Sequence, residues 1–214
     1  FDGPAISVNM STFKAPVALT DTACYYRSAR MLSKMSRVLG LDDPYLARSE
    51  EIRAALLRNF VDADTGEVAG ACQTSDGCVA FHHLLKPQEE ARLMERLAER
   101  IAQNGWHIDY GILGSKYVLN MLGEYGRTDV IYKMLTREDY PGYLYWVDHG
   151  CTTLAECWNL GGSHNHYMFS DVSAVFYRYF AGIRPDGDIP AYRSFLLAPA
   201  LDLAIDTLSC SVES

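Results

Sequence analysis

Along most of the chain, apolar residues return every three or four positions, the spacing of one face of a helix. From Thr20 or Asp21 to Leu39, the residues Tyr26, Ala29, Leu32, Met35 and Leu39 make such a stripe, and Gly40 is placed to end it. Asp42-Asp43-Pro44 gives the next helix an acidic first turn, and Ile52, Ala55, Leu56 and Phe60 form its inner face. Asp62 to Gly66 reads as a turn. Gln73 to Leu85 reads as a helix that continues through Gly77. Pro87 opens another, with Leu93, Leu97 and Ile101 on one face and Asn104-Gly105 at its end. Ile112 to Glu124 is the next, and Val130 to Leu135 begins a further one after the link Gly126 to Asp129. Asp139 to Gly150 reads as an aromatic-rich loop and Thr152 to Trp158 as a short helix. The last helix runs from Met168 or Ser170 to Phe180, before Gly182 and Pro185.

After Pro190 the pattern changes to rough alternation. Tyr192 to Leu197 and Leu203 to Val212 read as strands. The order helix, glycine, acidic cap, helix occurs twice, and short links of this kind join antiparallel neighbours. About eight helices in hairpins followed by strands suit an α/α toroid or a solenoid. No fixed repeat of about 34 or 40 residues is present, which favours the toroid.

Composition narrows the class of function. The chain has 214 residues, 49% of them hydrophobic, enough for a sizeable core without disulfide or metal staples. Its 27 acidic against 19 basic residues give a formal charge of −8 and argue against nucleic-acid binding. No apolar run approaches the ~20 residues of a membrane span. The start, Phe1-Asp2-Gly3-Pro4, has neither the basic nor the apolar region of a signal peptide, and the missing Met implies a longer parent chain. Six cysteines without a CxxC read as structural thiols and lean towards a reducing, cytoplasmic setting, with periplasmic or secreted placement left open.

Three segments could carry chemistry: Asn104 to Tyr110, Tyr140 to Trp158, and Ser163 to Tyr167. Aromatics beside carboxylates and imidazoles suit a sugar site, because rings stack on the apolar face of a pyranose and polar groups bond its hydroxyls. The same aromatics could equally pack helix ends. Glu156 stands out as a lone carboxylate in the apolar stretch Thr152 to Trp158. Burial there would suit general acid or base work; exposure would make it an ordinary surface residue. His164 and His166 form His-x-His but have no carboxylate partner in sequence, so no metal is expected, and no cofactor. Adjacent His82 and His83 read as structural.

Several segments together resemble one family. They are Ala23 to Gly40, Phe60 to Gln73, Gly111 to Tyr117 (GILGSKY), Tyr140-Pro141, Gly150 to Trp158 (GCTTLAECW), Ser163 to Phe169 (SHNHYMF) and Ala181 to Pro185. In this order the chain resembles the carboxyl half of the catalytic domain of bacterial α-L-rhamnosidases, glycoside hydrolase family 78. The resemblance implies a mainly α fold: residues 1–185 as part of an (α/α)6 barrel, and 186–214 as the first strands of a C-terminal β-sandwich. It implies an inverting hydrolase acting on terminal α-L-rhamnose. Glu156 then matches the general base and His166 a sugar contact. Trp158, Tyr143 and Trp146 are expected as stacking groups, and Asp2 lies near the place of a sugar-binding carboxylate.

The chain also departs from that family. Ala155 stands where a Trp is common, and Tyr143 to Trp146 replace a Trp-Gly-Tyr run. The Gly-Asp-Trp region carrying the family's general acid has no counterpart in this chain. The expectation is therefore that the full-length protein cleaves rhamnosides while these 214 residues alone turn over little. A truncated barrel is also expected to self-associate. The competing reading is a non-catalytic carbohydrate-binding or scaffold protein on the same toroid.

Overall fold

A computed structural model of the chain describes residues 14–187, 189 and 192–211. Its helices are α1 (Val17–Leu39), α2 (Tyr45–Phe60), α3 (Gln73–Phe81), α4 (Pro87–Gln103), α5 (Ile112–Glu124), α6 (Thr128–Leu135), α7 (Tyr143–Asp148) and α8 (Asp171–Val175). A 3-10 turn at Tyr167–Phe169 precedes α8, and a wider π turn at Phe176–Phe180 continues it.

Local chemistry accounts for many of the boundaries. Gly40 takes the left-handed conformation (φ 67°), and the Leu41 amide reaches back to the Ser36 carbonyl at 2.8 Å, closing α1. Asp43 Oδ1 accepts the otherwise orphaned amides of Tyr45 and Leu46, each at 3.2 Å, and so starts α2. Pro87 opens α4, where Glu89 Oε2 accepts the Lys86 amide at 3.1 Å.

The helices alternate between two layers. α1, α3, α5 and α8 lie side by side in one row; α2 backs α1, α4 backs α3, and α6 backs α5. α5 is buried on nearly every side, as the middle of the row must be, whereas α4 buries only Leu93, Met94, Leu97, Ile101 and their neighbours. Each such fully buried aliphatic side chain contributes about 1.5–3 kcal/mol.

The structure corrects several expectations. α1 turns a different face inward: Leu19, Ala23, Tyr26, Ala29, Ser33 and Ser36 are buried, while Leu32, Met35 and Leu39 are exposed. Ser33 can be buried because its hydroxyl donates to Asp43 Oδ2 at 2.7 Å. α3 stops at Phe81 rather than Leu85, with His83 at positive φ. The expected loop 139–150 contains α7, and the expected helix 152–158 is irregular.

β1 (Ile183–Pro185) pairs antiparallel with β2 (Phe195–Leu197), Ile183 opposite Leu197. The expected division at 185/186 therefore falls between two paired strands. Among the described residues from Leu203 onward there is no strand; instead the Ala204 carbonyl accepts the Tyr132 hydroxyl at 3.0 Å, tying this segment back to α6. Among the described residues no helix is long and apolar enough to cross a membrane.

Candidate functional site

The segment between α7 and the 3-10 turn folds back on itself through a few hydrogen bonds. The His166 amide donates to the Leu154 carbonyl (2.8 Å), and the Glu156 amide donates to the Ser163 carbonyl (2.8 Å). The Ser163 amide returns the pairing by donating to Glu156 Oε2 at 2.9 Å. The Thr153 hydroxyl also donates to the His164 carbonyl. These bonds set Glu156 and His166 on facing arms of one loop. Gly162 closes its tip at φ 75°, where a Cβ would lie 2.5 Å from Glu156 Oε2. A left-handed backbone and a carboxylate at that distance together favour glycine.

Both polar groups are half-buried and oriented. With Oε2 held by an amide, Glu156 keeps Oε1 available to accept a proton. His166 Nδ1 accepts the Met168 amide at 3.2 Å, which assigns the proton of the neutral ring to Nε2. The loop thus presents a carboxylate acceptor and an imidazole N–H donor, a combination that can orient a water and a hydroxyl together.

The aromatic residues do something other than expected. Trp158, Trp146 and Tyr143 are 0%, 2% and 9% exposed. The two indoles stack at 4.5 Å with 21° between planes, and Tyr143 meets Trp158 edge-on at 5.2 Å. Trp158 Nε1 donates to the Tyr110 carbonyl (2.8 Å), Trp146 Nε1 to the Trp158 carbonyl (3.0 Å), and the Tyr143 hydroxyl to the Phe169 carbonyl (3.2 Å). Burial pushes the Tyr143 phenol well above its ordinary value. These rings have no face left for a sugar. They are the floor beneath the Glu156 loop, and the Trp158 bond ties that floor to Tyr110, just before α5.

The other candidate segments separate from this loop. His107 is bonded to Asp139 Oδ2 (3.0 Å) and the Asn104 carbonyl (2.8 Å). The Arg137 guanidinium and His107 hold the Asp139 carboxyl well below the usual range. Gln73 fixes the same segment by donating to the His107 carbonyl (3.0 Å) and accepting the Asp109 amide (3.1 Å). His164 Nε2 contacts the Leu160 carbonyl at 2.8 Å, a bond within the loop. Asp2 lies outside the described residues. Among those residues no group of three or more His, Cys, Asp or Glu is placed to hold a metal. Sequence reasoning missed Gly162 and Ser163 as positioning residues; the Gly161-Gly162-Ser163 run is the available signal.

The chain matches the model of the bacterial alpha-L-rhamnosidase 6 hairpin glycosidase domain over residues 6–180. It is 30% identical over 210 residues to an alpha-L-rhamnosidase of Streptomyces avermitilis, covering 92% of this chain and 20% of that protein. An alpha-L-rhamnosidase of Alteromonas sp. is 27% identical over 199 residues, 86% of this chain and 21% of its own length. The crystal structure of the Streptomyces avermitilis alpha-L-rhamnosidase complexed with L-rhamnose superimposes with a TM-score of 0.76 at 30% identity, over 84% of this chain and 18% of that one. The chain thus spans about a fifth of the length of these relatives. The alternating helical rows, the Glu156 loop and these matches lead to one assignment: the chain belongs to the family of bacterial alpha-L-rhamnosidase six-hairpin glycosidase domains.

Proposed function

We propose that the protein carrying this chain is an inverting glycosidase that removes terminal α-L-rhamnose from glycosides or polysaccharides, with Glu156 as its general base. The observation that carries this reading is the Glu156 carboxylate, with one oxygen held by the Ser163 amide at 2.9 Å and the other without a hydrogen-bond partner among the described residues. Such a carboxylate can take a proton from water as the water attacks the anomeric carbon. A carboxylic acid on the opposite face protonates the leaving oxygen, roughly 6.5–9.5 Å away in inverting enzymes. His166, with its proton on Nε2, donates to a sugar hydroxyl. Tyr143, Trp146 and Trp158 support the loop from below. No cofactor enters this chemistry.

In the full-length protein, Glu156→Gln is expected to lower release of rhamnose from an aryl rhamnoside by about 10²–10⁴-fold. Unchanged turnover would sink the base assignment, and a wild-type protein that binds rhamnose without releasing it would replace the hydrolase by a sugar-binding toroid. The 214 residues alone are expected to turn over little or nothing, since inversion needs two carboxyl groups. The same reading keeps residues 1–185 as barrel portion and 186–214 as the start of a β domain, whose first ladder borrows Ile183–Pro185.

The exposed end of α1 supports self-association of the isolated chain. Met31, Leu32, Met35 and Val38 are 52%, 43%, 54% and 79% exposed on successive turns. Sedimentation at tens of micromolar should detect dimers or larger species, and Met35→Lys should reduce them. A clean monomer at that concentration would refute the expectation.

A further inference from the structure

A cavity of about 650 Å³ opens among α1, α3, α5 and α8. It is separate from the Glu156 loop. None of its lining residues belongs to that loop, and Asn120, on the cavity wall, lies about 12 Å along the helix axis from Ile112, where α5 begins, at 1.5 Å per residue.

The cavity is positive in a chain that is strongly acidic. Arg27, Arg30, Lys116 and Arg178 line it, opposed by Glu124 and Asp171. Two of the four cations are engaged: Arg30 lies 3.6 Å from Glu50, and Arg178 donates to Asn120 Oδ1 at 3.2 Å. Arg27 and Lys116 instead sit over the Phe81 ring, 4.7 and 5.8 Å from its centroid. Among the described residues neither has a carboxylate partner within ion-pair distance.

His82 supplies the second observation. It lines the same cavity and is 6% exposed, edge-on to Phe81 and Tyr117 at 5.4 and 5.5 Å. Neither of its ring nitrogens has a hydrogen-bond partner. A buried polar group left in that state costs about 1–3 kcal/mol, so such groups are commonly completed by a ligand or water. Burial, with Arg27, His83 and Lys116 nearby, pushes the imidazole down to about 4, so it is neutral at pH 7 and offers one N–H donor.

We propose that this cavity is an oxyanion site that takes a phosphate or sulfate group, free or esterified to a sugar, on Arg27 and Lys116 with the His82 N–H as a third donor. Guanidinium and ammonium are the two side chains suited to such groups, and charge-assisted bonds are about twice as strong as neutral ones. Phe81 holds both cations in place without neutralising them.

Calorimetric titration of the purified protein with inorganic phosphate and inorganic sulfate, at constant ionic strength, tests the site. Saturable binding is expected, weakened at least tenfold by Arg27→Gln and by Lys116→Gln in protein with unchanged circular dichroism. A second measurement needs no variant: the His82 ring resonances should titrate at higher pH in saturating phosphate, because a bound anion favours the imidazolium. Tighter binding of a sugar monophosphate or sugar sulfate would assign the site to charged glycans, and equal binding to the free ion. Phosphate that acts no differently from chloride, or a His82 titration that does not move, would overturn the proposal.

Discussion

The α3–α4 pair and the Glu156 loop are held by different forces. In α4, Leu93, Leu97 and Ile101 are each fully buried and each supported by others a turn away. The loop from Thr153 to His166 has a floor of stacked rings and a rim of single hydrogen bonds, one of them to the Glu156 carboxylate itself. The contrast teaches where damage should register: in stability for the helical body, in geometry and rate for the loop.

The largest effect is expected at the floor of the loop. Trp158→Ala removes a fully buried ring and the anchor to Tyr110, and should cost about 3–5 kcal/mol in denaturant unfolding. Leu97→Ala, in the body alone, should cost about 2–5 kcal/mol, with activity of the folded protein retained. A Trp158→Ala variant as stable as wild type would show that the loop does not depend on its floor.

Asp76 sharpens the same comparison through pH. It is buried against Arg100, with Arg100 Nε donating to Oδ2 at 3.1 Å, and desolvation pushes its carboxyl up to about 6. A group whose folded value is raised stabilises the fold below its unfolded value and loses that contribution as pH rises through the folded one. Relative to Asp76→Asn, the wild type should therefore lose on the order of 2 kcal/mol between about pH 4 and 6. His82 acts in the opposite direction: its lowered value makes its contribution present above pH 6.5 and lost as pH falls towards 4. A flat difference between wild type and Asp76→Asn across that window would refute the assignment.

The smallest change in stability, about 1 kcal/mol, is expected from Gly162→Ala. Its rate effect should exceed that by far, on the order of 10²-fold, because it displaces the Glu156 carboxylate rather than the fold. Equal loss of rate from Leu97→Ala and Gly162→Ala would erase the distinction between body and loop.

The body was largely legible in advance. α5 occupies Ile112–Glu124 as its periodicity predicts, Gly40 ends α1, and Pro87 opens α4. Caps and breakers act within one turn, so neighbouring residues suffice to place them. The inward face of α1 was not legible: Leu32 and Met35 look like core, yet Ser33 is buried because Asp43 from the next helix satisfies its hydroxyl. The stretch 152–158 was misread as a helix because its form depends on bonds to residues 163–166, which local propensity does not encode.

Read alone, the sequence specified the succession of the main helices, several of their ends, a change of pattern after Pro190, and the motif containing Glu156. These are matters of period and local hydrogen-bonding chemistry. The fold had to choose which face each helix buries, that Tyr143, Trp146 and Trp158 spend their rings on one another, that Glu156 and His166 face each other, and that Arg27, Lys116 and His82 share a cavity. Each of those choices compares the burial of one surface with another far along the chain, and that comparison exists only once the helices have packed.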